Sequence, residues 1–272
     1  TGRHGFCRLP AGKRCPVSVP SPRPLLEVCV DSFASAMAAV RGGADRLELC
    51  SALAVGGLTP WAELLRQIRA ESAIPIRCLM RPRPGDFLYT EDEIQLLCRQ
   101  ITALHSAGAD GFVIGALTAG GGLDMDATGR LCRAAEGAGL TLHRAIDVSR
   151  DPLQTYRDAA ALGIDTVLTS GAAANCLAGE KKLEQLLALR DEIGGPQVLI
   201  GAGVNAEAIR RLRAGLPGAA AFHMSGKIEL ESRMRFRREG VPMGQPGLDE
   251  WHIQQTSEAA VCAARAALDA AV

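Results

Sequence analysis

Residues 41–52, RGGADRLELCSA, carry the fold in miniature. A helix runs out into Gly42 and Gly43, Asp45 follows, and then Leu47, Glu48 and Leu49 alternate as a strand does. The same order returns in SAGADGFVI at 106–114 and AALGIDTVL at 160–168: helix end, glycine, short linker, aspartate, strand. Glycine stops a helix because the left-handed residue that closes it carries no Cβ penalty there. A strand that repeatedly follows a helix builds a parallel sheet from βα units.

Outward from that stretch, β-like runs fall at 25–30, 46–50, 74–80, 111–116, 140–143, 166–169, 198–201 and 219–224. Helical stretches such as WAELLRQIRAES and KKLEQLLALRDEIG separate them, and a last helix is expected at 257–270. Thr90 with Glu93 forms a capping box, and Thr59-Pro60 and Asp151-Pro152 place proline in a first helical turn. Eight strands with eight helices make an α/β fold, a (β/α)8 TIM barrel. The open, doubly wound alternative wants a glycine-rich dinucleotide loop after its first strand, and VCVDSFAS offers none.

The domain is expected over 25–272. Residues 1–24 hold five prolines, five Lys or Arg and no acid, which predicts a disordered tail with no apolar core of a secretory signal. Lys plus Arg and Asp plus Glu are 30 each among 272 residues, a balance that argues against nucleic acid or an anionic membrane as partner. No apolar run reaches the ~20 residues that cross a bilayer. The nine cysteines are scattered, without CxxC, and read as reduced thiols; Cys7 and Cys15, in the tail, read as incidental.

In a parallel barrel one parity of each strand faces the helices and must be apolar, while the other faces the barrel axis. Leu26, Val28, Val30, Leu47 and Leu49 take the outer side. Glu27, Cys29, Glu48 and Cys50 then point inward, joined by Arg77, Leu79 and Arg81, by Thr141, His143 and Asp147, and by His223 and Ser225. Carboxylates, arginine, histidine and thiols thus converge on the C-terminal mouth, where barrels of this kind hold their sites. Mutual neutralisation of buried ions is the bland account. Several kcal/mol of desolvation per ion weighs against it.

The segments LEVCVDS, GGADRLELCS, GGLTP, RPRPGDFLYTEDE, LHRAIDVSRDP, VLTSG and GAGV resemble the CutC family of copper homeostasis proteins. The resemblance implies a TIM barrel, a cytoplasmic location and a link to copper. Pro84 stands where the family has glycine, Val55 replaces an acid, Trp61 a hydroxyl and Ile146 a phenylalanine, and Arg77 is no family feature.

Two classes of function follow. As a metal-binding protein, the chain would hold Cu(I) between Cys29 and Cys50, at matching inward positions of adjacent strands, with His223 or His143 as a third ligand, since soft thiolates select that ion. Both cysteines could instead be small buried hydrophobes. As an enzyme, the chain would act on a small anionic carbonyl compound, with or without a phosphate, by general acid/base catalysis. Glu48 would be the base, Arg81 the anion holder and His143 the acid oriented by Asp147. Gly201, Gly203, Ser225 and Gly226 follow the last two strands, where barrels bind phosphate. The basic runs RRLRAG and SRMRFRREG lack interleaved aromatics and read as solvated faces. Met234 and Phe236 are expected to tuck a long loop onto the barrel. Trp251 and His252 either cap its bottom or line a contact in a homo-oligomer.

Overall fold

The structure, a computed structural model, describes residues 23–238, 240–241 and 249–270. The greater part of the expected tail, with Cys7 and Cys15, lies outside the described residues. In chain order the elements are β1 (Leu25–Val30), α1 (Phe33–Arg41), β2 (Arg46–Leu49), α2 (Ala62–Glu71), β3 (Ile76–Leu79), α3 (Glu91–Ser106), β4 (Gly111–Ile114), α4 (Met125–Ala134), β5 (Gly139–Leu142) and α5 (Pro152–Ala161). They continue with β6 (Thr166–Thr169), α6 (Glu180–Ile193), β7 (Gln197–Ile200), α7 (Ala206–Gly215), β8 (Ala221–Met224), β9 (Lys227–Glu231), β10 (His252–Thr256) and α8 (Glu258–Asp269). Strands β1 to β8 close into a parallel barrel, with β8 returning to β1. This is a TIM barrel.

The two parities separate as the alternation demands. Leu26, Val28, Leu47, Leu49, Ile76, Cys78, Phe112, Leu140 and Phe222 join the shell between sheet and helices. Cys29, Cys50, Leu79 and Val113 pack together on the inside. Met224 belongs to the outer shell, as its parity requires.

The repeated aspartate has a mechanical task. The carboxylates of Asp45, Asp110 and Asp165 accept the backbone N–H of Leu26, Ile76 and Leu140, each at 2.7 Å, one strand back from the aspartate's own. At each position the aspartate's backbone N–H returns to that residue's carbonyl. The pair of bonds staples the starts of neighbouring strands together, satisfying donors that would otherwise lie orphaned at the barrel floor. Arginines complete the floor: Arg265 on Asp45, Arg69 on Asp110 and Arg77 on Asp165.

Arg77 runs across the interior, donating to the hydroxyls of Thr141 at 2.7 Å and Thr166 at 3.2 Å as well as pairing with Asp165 at 2.8 Å. Room for this side chain comes from Gly139, where a Cβ would lie 2.6 Å from Nη2, and Gly111, where one would lie 3.0 Å from the Arg77 Cγ. Arg77 is therefore a floor strut, far in function from the mouth.

Some expectations change. Trp61 is the N-cap residue of α2, so Pro60 precedes the helix; Pro152 does open α5. The region after β8 is no plain loop: β9 and β10 form an antiparallel ribbon, from Lys227↔Thr256 to Glu231↔His252. KIELE and HIQQT carry the necessary alternation, but their apolar residues are few. Met234 and Phe236 are 60% and 67% exposed and do not tuck onto the barrel. Trp251 and His252 belong to the ribbon, which springs from the mouth end after β8, so they do not cap the bottom.

Candidate functional site at the barrel mouth

A cavity of about 410 Å³ opens at the C-terminal face, lined among others by Cys29, Glu48, Arg81, Phe87, His143, Asp147, His223 and Ser225. The register decides which of the inward residues meet. Cys29 lies opposite Glu48, and Glu27 opposite both Arg46 and His223. Cys50 is one step beyond that level: its thiol turns onto Glu48 Oε2 at 3.4 Å, buried against Leu79 and Leu53. Among the described residues, Cys29, Glu48 and His223 form the one trio whose donor atoms all lie within 4.8 Å of one another. At the level of Cys29 the adjacent strand presents Glu48, and Cys50 packs with Cys29 one inward position further on.

His223 is held from behind. Its Nδ1 lies 2.8 Å from Glu27 Oε1, and Arg46 Nε donates to Glu27 Oε2 at 2.5 Å. Nε2 then faces Glu48 Oε2 at 3.7 Å, and the Cys29 thiol lies within 4.8 Å of the same donor group. Arg46 shares the inward parity of Glu48, so the rule that placed Glu48 also places the arginine that sequence reasoning passed over.

The charges answer to this geometry. Burial raises the Glu27 carboxyl, but Arg46 and His223 outweigh it and hold it down to about 2. Glu48 is pushed up, chiefly by burial. Burial and the neighbouring Glu48 push the Cys50 thiol well up, as befits a packed core thiol. For His223 burial favours the neutral ring, yet Cys29 and Glu48 prevail and raise it well above the usual histidine range.

The other wall is built differently. Arg81 spends its fork on backbone carbonyls: Nη1 on Val55 and Gly57, each at 3.1 Å, and Nη2 on Gly85 at 2.8 Å. It fastens the loops after β2 and β3 rather than presenting that fork to the cavity. Its guanidinium sits over Phe87, whose ring centroid is 4.7 Å from that of His143. His143 Nδ1 accepts the N–H of Ala145 at 3.2 Å, which leaves the proton on Nε2, a buried atom with no partner. Burial and the charge of Arg81 hold this ring down to about 3. Gly115 makes way for it; a Cβ there would lie 2.9 Å from His143 Cε1.

Asp147 does not reach His143. Its oxygens accept from Thr169 Oγ1 at 2.5 Å, from Ser170 N and Oγ and from Ala172 N, and pair with Arg144 at 2.7 Å. The acid–base relay expected of His143 and Asp147 is therefore not assembled; Asp147 instead anchors the loop after β6. Of the four residues expected at an anion site, Ser225 lines the cavity while Gly201, Gly203 and Gly226 do not. A Cβ on Gly226 would face Met224 and Val261, toward the helices.

The sequence profile of the CutC family matches residues 24–228. The chain belongs to the CutC family. Its similarity to the CutC family protein of Chromobacterium violaceum is 41% identity, over 91% of this chain and 99% of that one. Similarity to the Vibrio parahaemolyticus family member is 39%, over 89% and 98%. Among solved structures, the CutC of Streptococcus agalactiae, assigned to copper homeostasis, superposes with a TM-score of 0.69 at 26% identity, covering 74% of this chain and 98% of that one. Within this CutC-family barrel the RPRPGDF segment supplies both the Arg81 clamp and Phe87. The family profile closes at the base of the ribbon, whose β9 spans Lys227–Glu231.

Proposed function

We propose that this CutC-family protein takes part in copper homeostasis by binding Cu(I) at the barrel mouth, with Cys29 Sγ and His223 Nε2 as ligands and Glu48 beside them. The observation that carries the reading is the donor cluster itself, backed by the Glu27–His223 bond. A metal-binding histidine characteristically gives its second ring nitrogen to a carboxylate, which fixes the ring and strengthens the other nitrogen as a donor. Thiolate and imidazole suit copper, and the described cysteines are all unpaired. The S. agalactiae relative supports copper as the cargo. A reducing, cytoplasmic setting would keep the thiols available. No helix among the described residues is long and apolar enough to cross a membrane.

An anaerobic Cu(I) competition titration against a chromophoric chelator tests this. Wild type should bind one ion per chain. Cys29→Ser should weaken binding by about a hundredfold or more, and His223→Ala by about tenfold, the cost typical of losing a ligand or its support. Cys50→Ser should stay close to wild type. Equal loss in Cys50→Ser and Cys29→Ser would restore the two-cysteine site; unchanged binding in all variants would remove copper from the mouth.

A further inference from the structure

The cavity is far larger than an ion requires, and its rim carries the opposite charge preference from the Cys29–Glu48–His223 corner. We propose that the mouth also holds a small organic oxyanion, a carboxylate or phosphate monoester with an apolar body, whose charged end sits between Lys227, Arg144 and Ser225. Volumes of roughly 300–1,000 Å³ are those of small-molecule sites. The about 410 Å³ here falls in that range.

Two cations face this space. Lys227, the first residue of β9, is exposed, lines the cavity and has no acidic partner among the described residues. Arg144 also lines it, fixed by Asp147 at its Nε and by Ser170 Oγ at 3.1 Å from Nη2, so Nη1 is positioned without a partner of its own. Arg81 lines the wall as well, but its fork is spent on loop carbonyls. Against these, the Asp147 carboxylate is already saturated by the loop after β6. A cation-rich rim with free N–H donors recognises anionic oxygens, most strongly where a planar guanidinium is held in place.

Between the polar groups the lining is Leu53, Val55, Leu79, Phe87, Val148 and Leu168. Val148 is 65% exposed, an apolar side chain left at the lip of a charged cavity. Apolar walls with a few convergent polar groups are how proteins hold small organic anions rather than inorganic ions. The inner end of such a ligand would face Cys29 and Glu48. The inference stands apart from the copper reading, because Lys227, Arg144 and Val148 belong to the rim rather than to the donor cluster.

Isothermal titration of the full chain, free of copper and in a buffer without phosphate or carboxylates, tests it with benzoate, phenyl phosphate and the neutral benzyl alcohol. At least one of the two anions should bind one-to-one and about tenfold more tightly than the alcohol. Lys227→Ala should weaken that binding about fivefold to tenfold, and Val148→Glu at least as much. Both positions are exposed, and circular dichroism will show that the variants stay folded. Binding of benzoate alone assigns a carboxylate, of phenyl phosphate alone a phosphate ester. No heat with either anion, equal affinity for the alcohol, or variants that bind as the wild type does would each overturn the proposal. Repeating the titration on Cys29→Ser separates the two readings, since loss of copper binding should leave the anion's affinity unchanged.

Discussion

At the scale of single residues, His143 shows how environment overrides the ordinary chemistry of a side chain. Its Nδ1 is committed to a backbone donor, and burial beside Arg81 depresses it from 6.5 to about 3. The unfolded chain therefore takes up this proton first as the solution is acidified. The contribution to stability is fully present above the unfolded value of 6.5 and is lost as pH falls toward about 3. Between pH 7 and pH 5 the loss should be about 2 kcal/mol. Urea unfolding at the two pH values, compared with His143→Gln, isolates it: the difference between the two proteins should carry that pH dependence. Nitrogen-15 spectra of the imidazole should show the Nε2–H tautomer unchanged from pH 8 to pH 5. A ring that titrates near 6.5 would contradict the buried assignment.

Elements are joined by the Asp–N–H staples, and among their arginines Arg77 is the one that also reaches across to the Thr141 and Thr166 hydroxyls. Arg77 is 12% exposed at its side chain, and burial lowers it from the usual arginine value against the pull of Asp165. Removing the carboxylate alone strands that charge and leaves Leu140 N–H without an acceptor. The Asp165 side chain is itself nearly half exposed, so Asp165→Ala should cost about 2 kcal/mol in chemical denaturation, chiefly for the orphaned donor. Arg77→Met combined with Asp165→Asn should cost less than half as much, because the neutral pair leaves no uncompensated ion. Additive losses would show that the two residues act separately.

For the molecule as a whole, stability should concentrate where the barrel closes and not in the ribbon. Arg265, 6% exposed on α8, donates to Pro24 O at 3.1 Å, to Asp45 at 2.6 Å and to Asp269, tying the last helix to the β1 end of the seam. Arg265→Ala should cost about 3 kcal/mol, and at roughly 2–4 °C per kcal/mol for a chain of this size the melting temperature should fall by about 6–12 °C. The ribbon pairs with itself, and Ile253 on it is 55% exposed. Ile253→Lys should leave the melting temperature within about 2 °C of wild type, as exposed substitutions generally do. Differential scanning calorimetry distinguishes the two cases directly.

Legible along the chain were the number and order of barrel strands, the closure expected of them and the inward parity of Glu27, Cys29, Glu48, Arg77, His143 and His223. These are properties of period two along a strand and of glycine and aspartate at element ends, and both are local. The sequence also marked the aspartate echo without showing its purpose, which needs the neighbouring strand. That Cys29 stands level with Glu48 and meets His223, while the Cys50 thiol bonds Glu48 from the next inward position, depends on the register between strands, which is set when the barrel closes. The same packing sent Asp147 to Ser170 and the Arg81 fork to loop carbonyls. Parity tells a side chain which way to face; the stagger of the strands chooses what it finds there.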